Sequence, residues 1–324
     1  MHKLRILALL AVILAAGGAL TASPAGAKVA GVNGLIAFAR YDPTLKDTVT
    51  YIANPDGTHL RLLFPGKPTA LPHWSPNGRE LALQTGLNNP CPPCAQTTII
   101  LNPDTRSYRM LLPPDPNLST GCSLWSPDAT RFACEVGSPD GSRNGVYTIR
   151  TSDGRGLKQI TSNPGGRDVP IDYSPSGKQL VFGRLSQNQN GTCTKHDALY
   201  VVNLDGSGLH RVTPGGFCDD NGSWSPNGKE IAFVTDSGSI YVVHPDGTGL
   251  KKIVLATAAP AYAGDVTWSP DGKRIAFLFS RGPRARIREG IATANANGTN
   301  VRRITASPTF DHETDWGTHP LTGG

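Results

Sequence analysis

No Gly-x-Ser-x-Gly elbow, His-Glu-x-x-His pair or calcium-hand loop occurs in the 324 residues. Gly228-Lys229 and Gly272-Lys273 lack the Ser or Thr of a phosphate loop. Elbow-type hydrolases, zinc peptidases of the helical motif and nucleotide-binding phosphate loops are therefore excluded. Beyond residue 20 no stretch is long or apolar enough to span a bilayer. No basic patch is interleaved with aromatics, which argues against nucleic acid. Charged residues make up only 17% of the chain, yet 38% is hydrophobic, enough for a sizeable core. Helical periodicity is missing as well. Gly and Pro, 37 and 27 residues, take roughly a fifth of the chain with no collagen-like period. They interrupt helices and suit short strands joined by tight turns.

The N-terminus has the form of an export signal. His2, Lys3 and Arg5 precede an apolar run from Ile6 to Leu20, followed by Ala25-Gly26-Ala27, the small-residue pattern cut by a signal peptidase. Residues 1–27 are expected to be removed, leaving a chain without a membrane span, in the periplasm or outside the cell. Its net charge falls from +6 to +4 with the loss of Lys3 and Arg5. Six cysteines fit an oxidising compartment. Cys122 and Cys134 flank a tight turn, and Cys193 and Cys218 lie in consecutive loops, so both pairs are expected to form disulfides. Cys91 and Cys94 sit in a proline-rich loop with no helix signal after them, unlike a redox Cys-x-x-Cys, and no second pair completes a zinc site.

A repeat sets the fold. Trp74-Ser-Pro-Asn-Gly-Arg-Glu-Leu-Ala-Leu returns at Trp125, Tyr173, Trp224 and Trp268, and a degenerate copy begins at Trp316. Successive aromatics lie 51, 48, 51, 44 and 48 residues apart, the length of one four-stranded unit. A second phrase, such as Tyr241-Val-Val-His-Pro-Asp-Gly-Thr, alternates apolar and polar residues and ends in the Asp-Gly or Asn-Gly of a hairpin turn. At Asp104-Thr105 the Gly is missing, which predicts a longer or differently shaped turn. Gly34-Leu-Ile-Ala-Phe-Ala-Arg40 has no Trp-Ser phrase before it, and Trp316 has no Ile-Ala-Phe strand after it. Joined, they complete one unit and close a ring. The expectation is an all-β, six-bladed β-propeller of four-stranded antiparallel blades over residues 34–318, with a short lead at 28–33 and a tail at 319–324.

The Trp-Ser-Pro-Asp-Gly-Lys-x-Ile-Ala-Phe phrase resembles the WD40-like propeller repeat of TolB, the periplasmic component of the Tol system. The same repeat occurs in the propellers of prolyl-oligopeptidase-type enzymes. The resemblance implies a propeller in the cell envelope, without the α/β domain that precedes it in TolB and without the hydrolase domain of the enzymes.

Within that ring the repeated Trp is expected to pack between sheets. The cations Arg61, Arg109, Lys158, His210, Arg211, Lys251, Lys252, Arg302 and Arg303 all fall in the fourth strand, where charge blunts an exposed edge. The loops and first strands carry His73, Asp168, Asp172, Asp219, Asp220, Asp265, Asp311, His312, Glu313 and Asp315. These are the channel-mouth candidates for holding a polar ligand, a cationic group or a divalent cation, although no cofactor is required. The long loops Gly86 to Gln96 and Ser186 to Asp197 would extend that face. The reading is an exported binding scaffold for another envelope or secreted protein or a small polar ligand. Its alternative is a metal-assisted lyase or hydrolase acting on carbohydrate through the channel-mouth His and carboxylates.

Overall fold

A computed structural model describes residues 30–322 apart from 86–96, 113–114, 116, 187–193, 195, 217–220, 258–260, 282–289 and 308. Blade 1 contributes β1 (Ile36–Asp42), β2 (Asp47–Ala53) and β3 (Arg61–Leu62). Blade 2 is β4 (Ala70–Trp74), β5 (Leu81–Thr85), β6 (Thr97–Leu101) and β7 (Tyr108–Leu111). Blade 3 is β8 (Ser119–Trp125), β9 (Arg131–Gly137), β10 (Gly145–Arg150) and β11 (Lys158–Gln159). Blade 4 is β12 (Gly166–Tyr173), β13 (Gln179–Ser186), β14 (Ala198–Asn203) and β15 (His210–Arg211). Blade 5 is β16 (Gly222–Trp224), β17 (Ile231–Val234), β18 (Ile240–Val243) and β19 (Lys251–Ile253). Blade 6 is β20 (Ala261–Trp268), β21 (Arg274–Arg281), β22 (Gly290–Asn295) and β23 (Arg302–Arg303). Finally β24 (Asp311–Trp316) returns to blade 1 as its innermost strand, giving the order β24-β1-β2-β3. The six-bladed propeller is thus closed by pairing between the two ends of the described chain. No helix among the described residues is long and apolar enough to cross a membrane.

The Trp-Ser-Pro phrase makes its own turn. In blade 2 the Ser75 hydroxyl donates to Asn77 Oδ1, which also accepts from Arg79 N–H, while Ser75 Oγ accepts from Glu80 N–H. The same cradle recurs around Ser126, Ser225 and Ser269. Its fourth residue lies in the left-handed region, where Gly78 has φ 67° and Gly272 68°. Blade 3 places Ala129 there at φ 58°, a conformation that costs a residue with a Cβ about 1 kcal/mol. Downstream, the strands that follow these turns are buried on both faces, since each sheet packs between two others. Phe38, Phe182, Phe233 and Phe277 are all fully buried at equivalent positions, where blade 3 has Cys134 and places its buried Phe132 two residues earlier.

The second turn locks neighbouring blades together. Gly57 has φ 87°, and a Cβ there would lie 2.2 Å from the Ile304 carbonyl oxygen of blade 6. Only Gly meets both demands, the backbone angle and the close approach. At Asp104-Thr105 the turn is one residue longer, closed by Asn102 N–H to Ser107 O, with Arg106 at φ 58°. The fourth-strand cations lie at the sheet edges as expected, but four of them do more than shield. Arg61 donates to Pro103 O, Arg109 to Thr151 O and Lys158 to Leu204 O, while His210 Nε2 lies 2.9 Å from Pro245 O. Each reaches the hairpin turn of the next blade, so the outer rim is clasped from blade 1 to blade 5.

Closure follows the same logic at the inner rim. Ile36 pairs with Trp316 and Arg40 with Asp311 across the β1–β24 ladder. Asp311 is fully buried, takes a two-point ion pair from Arg40 at 2.5 and 3.0 Å, and accepts the Thr305 hydroxyl of blade 6. Beyond Trp316 the chain remains attached: Leu35 N–H donates to His319 O, and the His319 ring stacks on Trp74 at 5.1 Å.

Candidate functional site

The innermost strand of every blade contributes to a cavity of about 340 Å³ at the mouth of the central channel. Five of these strands carry bulges: β8 and β12 each skip one residue, and the other three make a larger slip. The registers of β4, β20 and β24 skip two residues, and the first skipped residue lies in the left-handed region: Leu71 at φ 49°, Asp265 at 47° and Glu313 at 55°. Bulges re-aim backbone and side chains, and such angles for residues with a Cβ store of order 1–3 kcal/mol each. Here they lie on the consecutive blades 6, 1 and 2, where they link. Glu313 N–H donates to Asp265 Oδ2 (2.9 Å), and Leu71 N–H donates to Glu313 Oε2 (2.6 Å). His73 Nδ1 lies 3.1 Å from Leu71 O and 3.0 Å from Ser123 Oγ. Because a carbonyl only accepts, Nδ1 carries the proton. A hydrogen-bonded belt therefore runs over four blades, from Asp265 through Glu313 and His73 to Ser123.

His312 and Glu313 form the titrating element of this belt, with Nδ1 and Oε1 3.5 Å apart. Burial pushes the His312 pKa down, but the hydrogen bond and charge of Glu313, helped by Asp265 and Asp311, outweigh it and raise the value. Burial likewise pushes Glu313 up, and His312, the Leu71 N–H and His73 together bring it below the usual carboxylate range. His312 Nε2 is buried without a hydrogen-bond partner. Across the mouth, Arg167 makes a two-point ion pair with Glu135 at 2.7 and 3.1 Å. Between these polar walls lie Leu124, Val169, Pro170, Ile171 and Val266.

The sequence candidates divide into four groups. His73, Asp265, His312 and Glu313 line the cavity together. Asp172 and Asp315 line a second, smaller cavity of about 50 Å³ further along the axis, where they accept the backbone N–H of Trp224 and Trp74 in the following blades. Asp168 and Asp311 face between blades instead: Asp168 is fully buried against Arg184 and the Thr161 hydroxyl, as Asp311 is against Arg40 and Thr305. Asp219 and Asp220 lie outside the described residues, as do Cys91, Cys94, Cys193 and Cys218 and most of the two long loops. Among the described residues no three His, Cys, Asp or Glu side chains are grouped to hold a metal ion. Ser123, Glu135 and Arg167 were missed. Arg167 adjoins Asp168 and would have emerged had cations been sought beside acids.

Cys122 and Cys134 face each other across β8 and β9 and form a disulfide, with Cα atoms 4.2 Å apart. The tryptophans pack between blades as expected: Trp125 Nε1 donates to His73 O of blade 2, and Trp316 packs with Ala276 and Ile291 of blade 6 while its Nε1 donates to Gly34 O within blade 1.

A closed six-bladed propeller with a strained polar channel mouth defines the class. The chain belongs to the TolB beta propeller domain family, whose model matches residues 33–319. Among solved structures it is similar to TolB from Acinetobacter baumannii, with a TM-score of 0.67 and 18% identity over 88% of this chain and 66% of that one. It is also similar to a putative TolB from Agrobacterium tumefaciens, with a TM-score of 0.60 and 18% identity over 90% and 94% of the two chains. The chain spans about two thirds of the first of these structures. At these identities the likeness shows the fold. A curated relative, the uncharacterized protein Atu1656 of Agrobacterium fabrum (strain C58 / ATCC 33970), is 28% identical over 148 residues, 45% of each chain.

Proposed function

We propose that the protein is exported and acts as a binding scaffold, receiving another envelope or secreted protein, or a small polar ligand, at the mouth of its channel. The observation that carries this reading is the belt from Asp265 through Glu313 to Leu71 and His73. Three strained bulges on adjacent blades spend folding free energy to turn polar groups toward a cavity of about 340 Å³ that regular strands would not shape in this way. Export is supported by the basic, apolar and small-residue segments of residues 1–27, and by a disulfide that suits an oxidising compartment.

Capture from the native envelope tests the proposal. Wild-type protein and a Glu313→Gln/Asp265→Asn variant are immobilised, and retained molecules are compared. A partner held by the wild type and lost from a variant with an unchanged CD spectrum supports the reading. Stoichiometric metal in the purified protein, together with cleavage of an acidic oligosaccharide, would replace it with the carbohydrate-lyase alternative. Equal retention by both proteins would move binding away from the channel.

A further inference from the structure

Basic charge is not spread evenly around the outer rim. On blades 1, 2 and 3 the fourth strand carries one cation each, Arg61, Arg109 and Lys158, and each is occupied by the next blade's turn carbonyl. On blades 4, 5 and 6 that strand carries a basic pair: His210–Arg211, Lys251–Lys252 and Arg302–Arg303, all six exposed. Among the described residues the side chains of Lys251 and Lys252 make no hydrogen bond or ion pair. Arg211, Arg302 and Arg303 bond only neutral oxygens, those of Thr213, Asn300 and Thr305. The hairpin turn of blade 6 also has Asn297 where other blades carry Asp56, Asp205 or Asp246, so this turn lacks the usual negative charge. Burial, and then the nearby Arg302, lower the pKa of Arg274 against the opposing charge of Asp271.

Exposed aliphatic side chains flank these strands, as Leu60 and Leu112 do in blades 1 and 2. Leu209 precedes His210, Leu250 precedes Lys251, and Val254 follows Ile253, with 43%, 38% and 71% of their surface exposed. Unneutralised basic pairs flanked by exposed aliphatics suit a surface that is anionic outside and apolar just beneath. A second observation places the first described residues at this arc. Gly31 N–H donates to Pro270 O, and Asp271 N–H donates to Asn33 Oδ1, so Gly31 and Asn33 are held against the turn face of blade 6.

We propose that the outer turn-face arc of blades 4 to 6 is a docking surface for an anionic lipid bilayer. The first and second strands join at the Trp-Ser-Pro turns, and the third and fourth join at the hairpin turns. Antiparallel pairing puts both on one face, opposite the loops that ring the channel mouth. Docking by this arc therefore leaves the channel mouth directed away from the bilayer, whatever that mouth receives.

The 24 strands of the described residues lie between Ile36 and Trp316, so the chain from Lys28 onward contains the described ring and serves for the test. Its partitioning is measured by co-sedimentation with phosphatidylcholine vesicles with and without phosphatidylglycerol, at low and high salt. Binding is expected only to the anionic vesicles and is weakened by salt. Each basic residue near the surface contributes about fivefold. The variant Lys251→Ser/Lys252→Ser/Arg302→Ser/Arg303→Ser should therefore bind about two to three orders of magnitude more weakly. Leu250→Ser/Val254→Ser should also weaken binding, with melting temperature unchanged. Two results would overturn the proposal. One is an equal loss from Arg79→Ser/Arg106→Ser/Arg155→Ser on the opposite arc, which would indicate net charge alone. The other is full competition by a soluble polyanion with no effect of the aliphatic changes, which would indicate an acidic polymer as the occupant.

Discussion

Replacing Asp311 by Asn tests whether the ring is held shut by its inner ion pair. The substitution preserves shape and removes charge from a fully buried site that accepts two bonds from Arg40 and one from the Thr305 hydroxyl. Arg40 has only 12% of its side chain exposed, so its guanidinium is left with little water to replace the partner. Breaking a buried pair from one side costs about 3–5 kcal/mol, and the partial exposure of Arg40 places the expected loss near the lower end, about 3 kcal/mol. For a domain of this size that lowers the melting temperature by about 6–12 °C. The matched control is Asp168→Asn in blade 4. Its partner Arg184 is 22% exposed, so about 2 kcal/mol is expected there. A second control replaces both groups by apolar ones. Arg40→Met/Asp311→Leu should recover most of the loss, because no charge is then stranded. Urea unfolding followed by tryptophan fluorescence and far-UV CD reads all four proteins. A loss below about 1 kcal/mol for Asp311→Asn, or no recovery in the double variant, would refute the argument that the pair secures closure.

Ala129→Gly should raise stability by about 1 kcal/mol in the same assay, since it relieves the φ of 58° that the other turns assign to Gly. The His312–Glu313 pair should give a stability maximum in pH. The contribution from the raised His312 is complete below its unfolded value of about 6.5 and disappears as pH rises through the folded value. The contribution from the lowered Glu313 is complete above about 4.5 and disappears as pH falls through the folded value. Melting temperature followed against pH should therefore peak between these limits more sharply in the wild type than in Glu313→Gln; superimposable profiles would contradict the coupling. Non-reducing peptide maps should show Cys122 joined to Cys134 and, on the expectation from their loops, Cys193 joined to Cys218. Reducing the 12-residue Cys122–Cys134 loop should cost about 3 kcal/mol.

The blade count, the strand order and the seam were legible because they are written in local phrases. Trp-Ser-Pro-x-Gly marks one turn, Asp-Gly the other, and the split between Gly34 and Trp316 marks the closure. What could not be read was which acid faces where. Asp168 and Asp265 both lead along a first strand toward the aromatic position, yet one is enclosed by Arg184 and the other sits on a bulge at the channel. The difference depends on a two-residue slip of register and on a partner about 50 residues away, and neither leaves a mark in its own segment. The outer clasps were hidden for the same reason. Arg61 reads as an edge charge until the turn carrying Pro103 is brought beside it, 42 residues later.

The noncovalent seam also makes the order of the blades along the chain arbitrary in physical terms. Gly34 N–H bonds Gly317 O and Leu35 N–H bonds His319 O, so the two ends of the described chain run side by side. A short linker across that gap, with the chain reopened between two other blades, would preserve each of the six sheets and merely transfer the break elsewhere. Such a circularly permuted protein has the same neighbours around its circumference. Blade 1, now the unit assembled from distant segments, would become an ordinary hairpin series, while another blade would inherit the task of waiting for the last strand to be synthesised.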